Sequence, residues 1–494
     1  MRKYIISSLF AACVAFAASA FTPSGVTVVV TPGNLSKLIP DAETAVSLVL
    51  SGEANAVDLA YLADMEKLET LDMSRLSIVG VDNYLVGTVS HHPANSIPAN
   101  VFAGANFSSV VLPSTDGLTI LSGAFAGSKL TSITIPATVS SLCDGVFAGC
   151  NALTVVDCSA KSLGKGVFSK CEALKDVKFA STVALPADAF FGCKSLPSVS
   201  GDFTAVGDRA FSNCTSLTSF PFGSKLTSIG NEAFMKTSLK EVDLSVCPSL
   251  TTVGEWAFAM IPTLKSLKMG NVENMGQAIA FACPSLTRFY TSARATEIPD
   301  YAVATSAVNS PSDLLHDDIV SIGRYSMSGL SGISSVTLPA SLEYIGDHAM
   351  ENMTGLTHIL SELFDIPELG EDVWAGINQA DVELEVPTEM TEEYKSSPQW
   401  SEFRIVNTSS SADAILGEDL PNLRGRFEGD DLIVEADGVD IDRLLLYNPG
   451  GQLLIAVEPM EQTIAINTSG FGTRLYIIHA TLADGRAAVL KLAR

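Results

Sequence analysis

Four cysteines, Cys150, Cys171, Cys193 and Cys214, recur at intervals of 21 or 22 residues. Thiols in such a series could bridge in pairs, hold a metal or act as nucleophiles. Each lies three residues after a phenylalanine, namely Phe147, Phe168, Phe190 and Phe211. Equivalent positions in a repeating unit place side chains parallel to one another. Parallel side chains fit the S–S dihedral poorly. A straight column of thiols also fails to converge on a tetrahedral metal. Buried free thiols are therefore expected here and at Cys158, which falls on an inward strand position.

The other chemistry-bearing residues are sparse. Of the six histidines, His91 and His92 are adjacent, and His316 stands beside Asp317 and Asp318. Neither group has the spacing of a metal site, and no His-Glu-x-x-His, phosphate-loop or Gly-x-Ser-x-Gly motif occurs. Acidic residues are plentiful enough to pair by chance on a solvated face. The sequence predicts no enzyme, no catalytic residue, no metal and no cofactor.

The elements that carry these residues repeat. Phe102, Phe125, Phe147, Phe168, Phe190, Phe211, Phe234, Phe258 and Phe281 each follow Ala or Val, at steps of 21 to 24 residues. Continuing the step reaches Val303, Met327, Met350 and Trp374, giving about thirteen rungs. Five or six residues after the bulky residue, most rungs begin a Leu-x-x-Val-x-Leu pattern. Examples are Leu130-x-x-Ile133-x-Ile135, Leu174-x-x-Val177-x-Phe179 and Leu239-x-x-Val242-x-Leu244. Its second half alternates with period two and predicts a short strand. Pro136 and Pro339 end such strands. A Ser-Ile-Gly turn follows in several rungs, as at 228–230 and 321–323. One rung cannot bury its own apolar side, but a stack of parallel rungs can.

Residues 130–150 resemble the BspA-like leucine-rich repeats of bacterial surface proteins, with Cys143 and Val146 departing from the usual Gly and Ala. The resemblance covers about residues 96–388. It implies an α/β repeat solenoid with short parallel strands on its concave face, and a place at the bacterial surface.

The 494 residues exceed one ordinary core, and 47% are hydrophobic. A net charge of −25 disfavours nucleic acid and anionic lipid as partners. Arg2 and Lys3, an apolar run to about Ala17 and Ala18-Ser19-Ala20 read as a signal peptide over 1–20. Lipoprotein processing at Cys13 is the rival reading, disfavoured by Phe10 three places before it. No other stretch is long enough to span a membrane.

Residues 21–95 are expected to cap the first rung. They contain strands at Val26–Val30 and Ser47–Leu50, a helix near Ala54–Met65 and a Gly-Glu-x-Asn-x-x-Asp segment similar to that preceding such repeats in the Bacteroidetes group. At the far end, 389–406 bring Tyr394, Trp400 and Phe403 as an apolar lid, with an aromatic glycan platform as the alternative. Residues 407–415 read as a linker. Residues 416–494 read as a small antiparallel β-sandwich. Tyr447, Gly451-Gln452-Leu453, Gly472, Leu475 to Ile478 and Lys491 resemble the C-terminal sorting domain of type IX secretion cargo. A plain accessory β-domain is the alternative.

The outward residues of the strands remain as a docking face. They include Ser132 and Thr134, Asp176 and Lys178, Glu241 and Asp243, Ser266 and Lys268, Arg288 and Tyr290, and Ser335 and Thr337. Among the charged and aromatic ones, Arg288 with Tyr290 is the expected hot spot. The sequence thus predicts a secreted or cell-surface binding or adhesion protein engaging an extracellular protein or glycan. The alternative is a scaffold or accessory subunit of a surface assembly.

Overall fold

A computed structural model describes residues 25–40, 44–86, 89–361, 363, 365–407, 423–436, 438–448, 453–471, 475–483 and 487–493. The expected signal segment with Cys13, the linker beyond Asn407 and the turn at 449–452 lie outside the described residues.

The first strands show why the acidic Asn-x-x-Asp segment is there. Strands Val26–Val30, Ser47–Ala54 and Thr70–Ile78 pair in parallel, and Ser109–Val111 continues the sheet. Helix Ala56–Ala63 starts at Asn55, whose side chain caps the Val57 amide. Asp58 completes the capping box by accepting from the Asn55 amide at 3.0 Å. The same buried carboxylate accepts from the Gly33 and Leu35 amides at 2.7 and 2.9 Å. One side chain thus closes a helix N-terminus and fixes the turn before it. Gly52 completes the arrangement with φ +90, since a Cβ there would stand 2.5 Å from the Val30 carbonyl oxygen.

The chain then winds into a parallel β-solenoid of about 16 turns. Helix is scarce: among the described residues it is confined to Leu35–Leu38, Ala56–Ala63, Thr391–Ser396 and a few 3-10 turns. Beyond that first sheet the long strands continue one side of the coil in three further parallel groups: Ser132–Ile135 to Asp176–Phe179, Glu241–Asp243 to Arg288–Tyr290, and Ser335–Leu338 to Arg404–Asn407. Short strands form a second side, in groups running from 96 to 142, 183 to 275 and 297 to 369. The gaps on one side never coincide with those on the other. One apolar core runs from Val30 to Phe403.

Inside, Phe102, Phe125, Phe147, Phe168, Phe190, Phe211, Phe234 and Phe258 stack from rung to rung. Centroid separations are 5.2 Å for Phe102–Phe125 and 5.4 Å for Phe234–Phe258, the latter pair only 4° from parallel. Phe281 does not join them. The Phe234 amide bonds to the Ala257 carbonyl, and the Phe258 amide bonds to that of Ile279. Ile279 is thus the equivalent of Ala257, and Ala280 occupies the ring position. Ile279, larger than Ala257, is fully buried. Phe281 turns outward against Trp256 and Tyr301. From Val303 through Trp374 the ladder resumes as expected.

Each ring position is held between two left-handed residues. The residue two places before it has positive φ in every rung from Asn100 to Asp372, and so does the residue two places after, from Gly104 to Gly376. Glycine takes this conformation freely at Gly123, Gly145 and Gly166. Trp256, Tyr301, Tyr325 and His348 take it with bulky rings, at about 1–2 kcal/mol each. Tyr301 stacks on Tyr325, and Tyr325 on His348, at 5.0 and 4.6 Å. Such pairs return about 0.5–1.5 kcal/mol each, which offsets only part of the strain.

The far end of the coil is closed by aromatic rings. Trp374, Tyr394, Trp400 and Phe403 are all buried, and Trp374 meets Phe403 edge-on at 5.1 Å. The Tyr394 hydroxyl pairs with Ser361 Oγ at 2.6 Å, while burial pushes its phenol up to about 12. Rings enclosed in this way form a lid, and the glycan-platform alternative at this end falls.

Beyond it, strands Leu423–Glu428, Asp431–Ala436 and Thr463–Asn467 form one antiparallel sheet. Strands Leu453–Val457, Ile441–Tyr447, Leu475–Leu482 and Ala487–Ala493 form another. They have a separate core containing Leu432, Val434, Leu444, Leu446, Tyr476 and Ile478.

Candidate functional site

The predicted face is built by strand alternation. Val242, Leu267 and Phe289 point inward and are buried, so Glu241 and Asp243, Ser266 and Lys268, and Arg288 and Tyr290 point out. Pairing is in register: Glu241, Ser266 and Arg288 form one row, and Asp243, Lys268 and Tyr290 the next. The structure therefore brings Glu241, Asp243, Lys268, Arg288 and Tyr290 onto one three-stranded patch. Asp176 and Lys178 belong to another sheet and pair with each other at 3.1 Å. The rungs of Val199 and Phe220 lie between the two patches, so the seven residues do not form one site.

Within the main patch the charges are ordered. Lys268 Nζ lies 3.9 Å from Asp243 Oδ2. The hydroxyl and amide of Ser245 donate to Asp243. The hydroxyl bond, more than the Lys268 charge, holds its carboxyl below the usual range. Arg288 Nε donates to Asp313 Oδ2 at 2.6 Å, and its guanidinium lies 5.0 Å from the centre of the Tyr290 ring. Exposed ion pairs of this kind add little to stability. Their effect is to hold an arginine and a tyrosine in one orientation, which lowers the ordering cost of binding.

Two partners escaped the sequence reading. Asp313 ends a 3-10 turn, Pro311–Asp313, that replaces a strand in its rung. Its Ser-Pro-Ser-Asp run reads as a turn start, but nothing in the spacing aims it at Arg288. His358 lies on strand His358–Ser361, in register with Ser335 and Glu383. Its Nδ1 faces Ser335 Oγ at 3.2 Å and its Nε2 faces Glu385 Oε2 at 3.1 Å. The frame Leu356-x-His358-Ile359 would have placed it outward. The row has the composition of a nucleophile–base–acid set, yet it lies on an open sheet face. There it orders polar side chains of three neighbouring strands.

The cysteine column is buried as expected. Cys150, Cys171, Cys193 and Cys214 each donate to the carbonyl at the ring position one rung back, at 3.0 to 3.1 Å. Cys283 does the same to Phe258 at 3.2 Å. Burial pushes the Cys193 and Cys283 thiols up to about 12 and Cys158 to about 11. Cys150 is instead held below the usual thiol range despite its burial, by the neighbouring Cys171 side chain and then by Ser128, whose Oγ lies 3.3 Å from its sulfur. Of the eight described cysteines, only Cys143 is partly exposed. A thiol reagent is expected to modify Cys143 in the native protein and to reach the column at the rate of unfolding. Peptide mapping after a timed pulse of alkylation checks this; early labelling of Cys150 or Cys193 would show that the column is open. Among the described residues no group of histidine, cysteine and acidic side chains is arranged to hold a metal. No helix there is long and apolar enough to cross a membrane.

Comparison with known proteins finds one matching family. The model of the BspA type leucine rich repeat region matches in six copies, over residues 95–201, 185–309 and 314–397. Among solved structures, a leucine-rich repeat protein from Bacteroides ovatus is 19% identical, with 73% of this chain and 88% of that one covered and a TM-score of 0.44. A leucine rich cell surface protein from Faecalibacterium prausnitzii is 18% identical, with 60% and 88% covered and a TM-score of 0.31. A leucine-rich repeat protein from Eubacterium ventriosum is 14% identical, with 72% and 89% covered and a TM-score of 0.35. No curated protein matches the chain.

Proposed function

The chain belongs to the BspA-type leucine-rich repeat family, and from that premise we propose that it is an exported binding protein whose long-strand face docks an extracellular protein. Proteins of this kind are repeat scaffolds at the cell surface or beyond it. The observation that carries the reading is the ordered patch of Glu241, Asp243, Lys268, Arg288 and Tyr290, where Asp313 and Tyr290 hold one arginine in place. Arginine and tyrosine held in advance are the side chains from which binding hot spots are most often built. A glycan is the second ligand class for the same face. The signal segment at 1–20 supports export. The antiparallel sheets after residue 423 fit a transport or docking module, which would make the protein a subunit of a surface assembly if it stays attached.

The test is an array of extracellular-matrix proteins and glycans probed with wild type and with an Arg288→Ala/Tyr290→Ala variant. Wild type is expected to bind at least one protein at least tenfold more tightly than the variant, as hot-spot truncation costs about 2 kcal/mol or more. Equal binding by the two proteins would remove the face from consideration.

A further inference from the structure

A second surface stands out on a different side of the coil. Tyr301, Tyr325 and His348 occupy the left-handed position of successive rungs and form a stacked, partly exposed column. The out-turned Phe281 continues it toward Trp256. Earlier rungs fill the same position with Gly123, Gly145 and Gly166, at no steric cost. Stacking offsets only part of the strain that the rings introduce, so what the rings add is their surface.

Carboxylates border that surface. The residue preceding each ring is Asp300, Arg324 or Asp347, and Glu351 Oε2 lies 3.4 Å from His348 Nδ1. The chain supplies one example of what such a border can hold. The Arg324 guanidinium lies 5.7 Å from the centre of the Tyr301 ring and 3.9 Å from Asp300 Oδ2. A cation there meets an aromatic ring and a carboxylate together.

We propose that this column docks an extended, arginine- and lysine-rich segment of a partner protein, whose cationic side chains repeat the contact Arg324 makes. The net charge of −25 draws such a segment in and repels acidic ones. The proposal rests on the reading of the chain as a binding protein, but uses another face.

The experiment titrates the full chain with fluorescently labelled peptides of alternating arginine and serine, alternating glutamate and serine, and a neutral oligosaccharide. Tyr301→Asn/Tyr325→Asn removes the rings, and asparagine tolerates the left-handed backbone; a thermal melt checks that this variant is folded. Wild type is expected to bind the basic peptide at least tenfold more tightly than this variant and to ignore the acidic one. Asp347→Asn/Glu351→Gln is expected to weaken binding and flatten its salt dependence. Arg288→Ala/Tyr290→Ala is expected to bind the basic peptide like wild type, which separates this proposal from the long-strand face. Equal affinity of the wild type and the ring variant for the basic peptide overturns it. So does oligosaccharide binding that needs the rings while peptide binding does not.

Discussion

Phe168→Ala is expected to lower the stability of its part of the coil by about 3–5 kcal/mol. The ring is fully buried and stacked between Phe147 and Phe190, 5.5 Å from each. Collapse around the vacancy is hindered because the rungs are pinned by main-chain bonds on both sides. The Phe147 amide bonds to the Val167 carbonyl and the Phe168 amide to that of Ala189, both at 2.9 Å. The cavity therefore persists, and its cost stays near the upper end of the range for such truncations. Because each rung contacts only its neighbours, the loss should be local. Hydrogen exchange is expected to quicken in the rungs of Phe147, Phe168 and Phe190 and to be unchanged in the antiparallel sheets after residue 423. A loss below about 1 kcal/mol, or an equal quickening everywhere, would contradict the stacked-rung description.

Gly254→Val is expected to be nearly as damaging, by the opposite mechanism. A Cβ on Gly254 would stand 2.4 Å from Asn231 Oδ1, 2.6 Å from Asn231 N and 2.7 Å from Gly230 C. Most of these atoms are main chain of the rung before and cannot swing away. Parting the two rungs would also stretch the Gly254 amide's bond to the Ile229 carbonyl, now 2.8 Å, and the Glu255 amide's bond to Asn231 Oδ1, now 2.9 Å. Overpacking and two weakened hydrogen bonds together cost about 3 kcal/mol or more. Gly127→Asn is the comparison: φ is +67 and nothing lies within 4 Å of its Cβ, so a change below about 1 kcal/mol is expected. Denaturant midpoints of the two variants measure the difference. If Gly254→Val proved as mild as Gly127→Asn, the close contact between rungs would not exist.

Much of this was legible in the sequence because a solenoid repeats one local problem. The Leu-x-x-Val-x-Leu frame gave the long strands, and the Ser-Ile-Gly turn marks where glycine must meet the previous rung. The reading slipped at Phe281, where a ring one place late looked like the next ladder member. Only the main-chain bonds show that Ala280 is the equivalent. The left-handed column was hidden for a related reason. Gly123, Gly145 and Gly166 announce positive φ, but Trp256, Tyr301 and Tyr325 do not. Their conformation is imposed by the rungs around them and runs against their own preference. The face residues were legible one rung at a time, because alternation fixes which side chains point out. Which of them meet was not: Asp176 and Lys178 are separated from Arg288 by rungs without long strands, and Asp313 reaches Arg288 from a turn. Pairings between rungs depend on how each insertion shifts the register, and this is tertiary information.

The staggered gaps between the strand groups have a mechanical consequence. On the long-strand side the breaks fall between residues 111 and 132, between 179 and 241 and between 290 and 335. On the short-strand side they fall between 142 and 183 and between 275 and 297. Like offset joints in brickwork, each is bridged by an unbroken course on the other side. A molecule pulled lengthwise has no single plane along which to fracture, so under load it should peel from its ends and not snap in the middle.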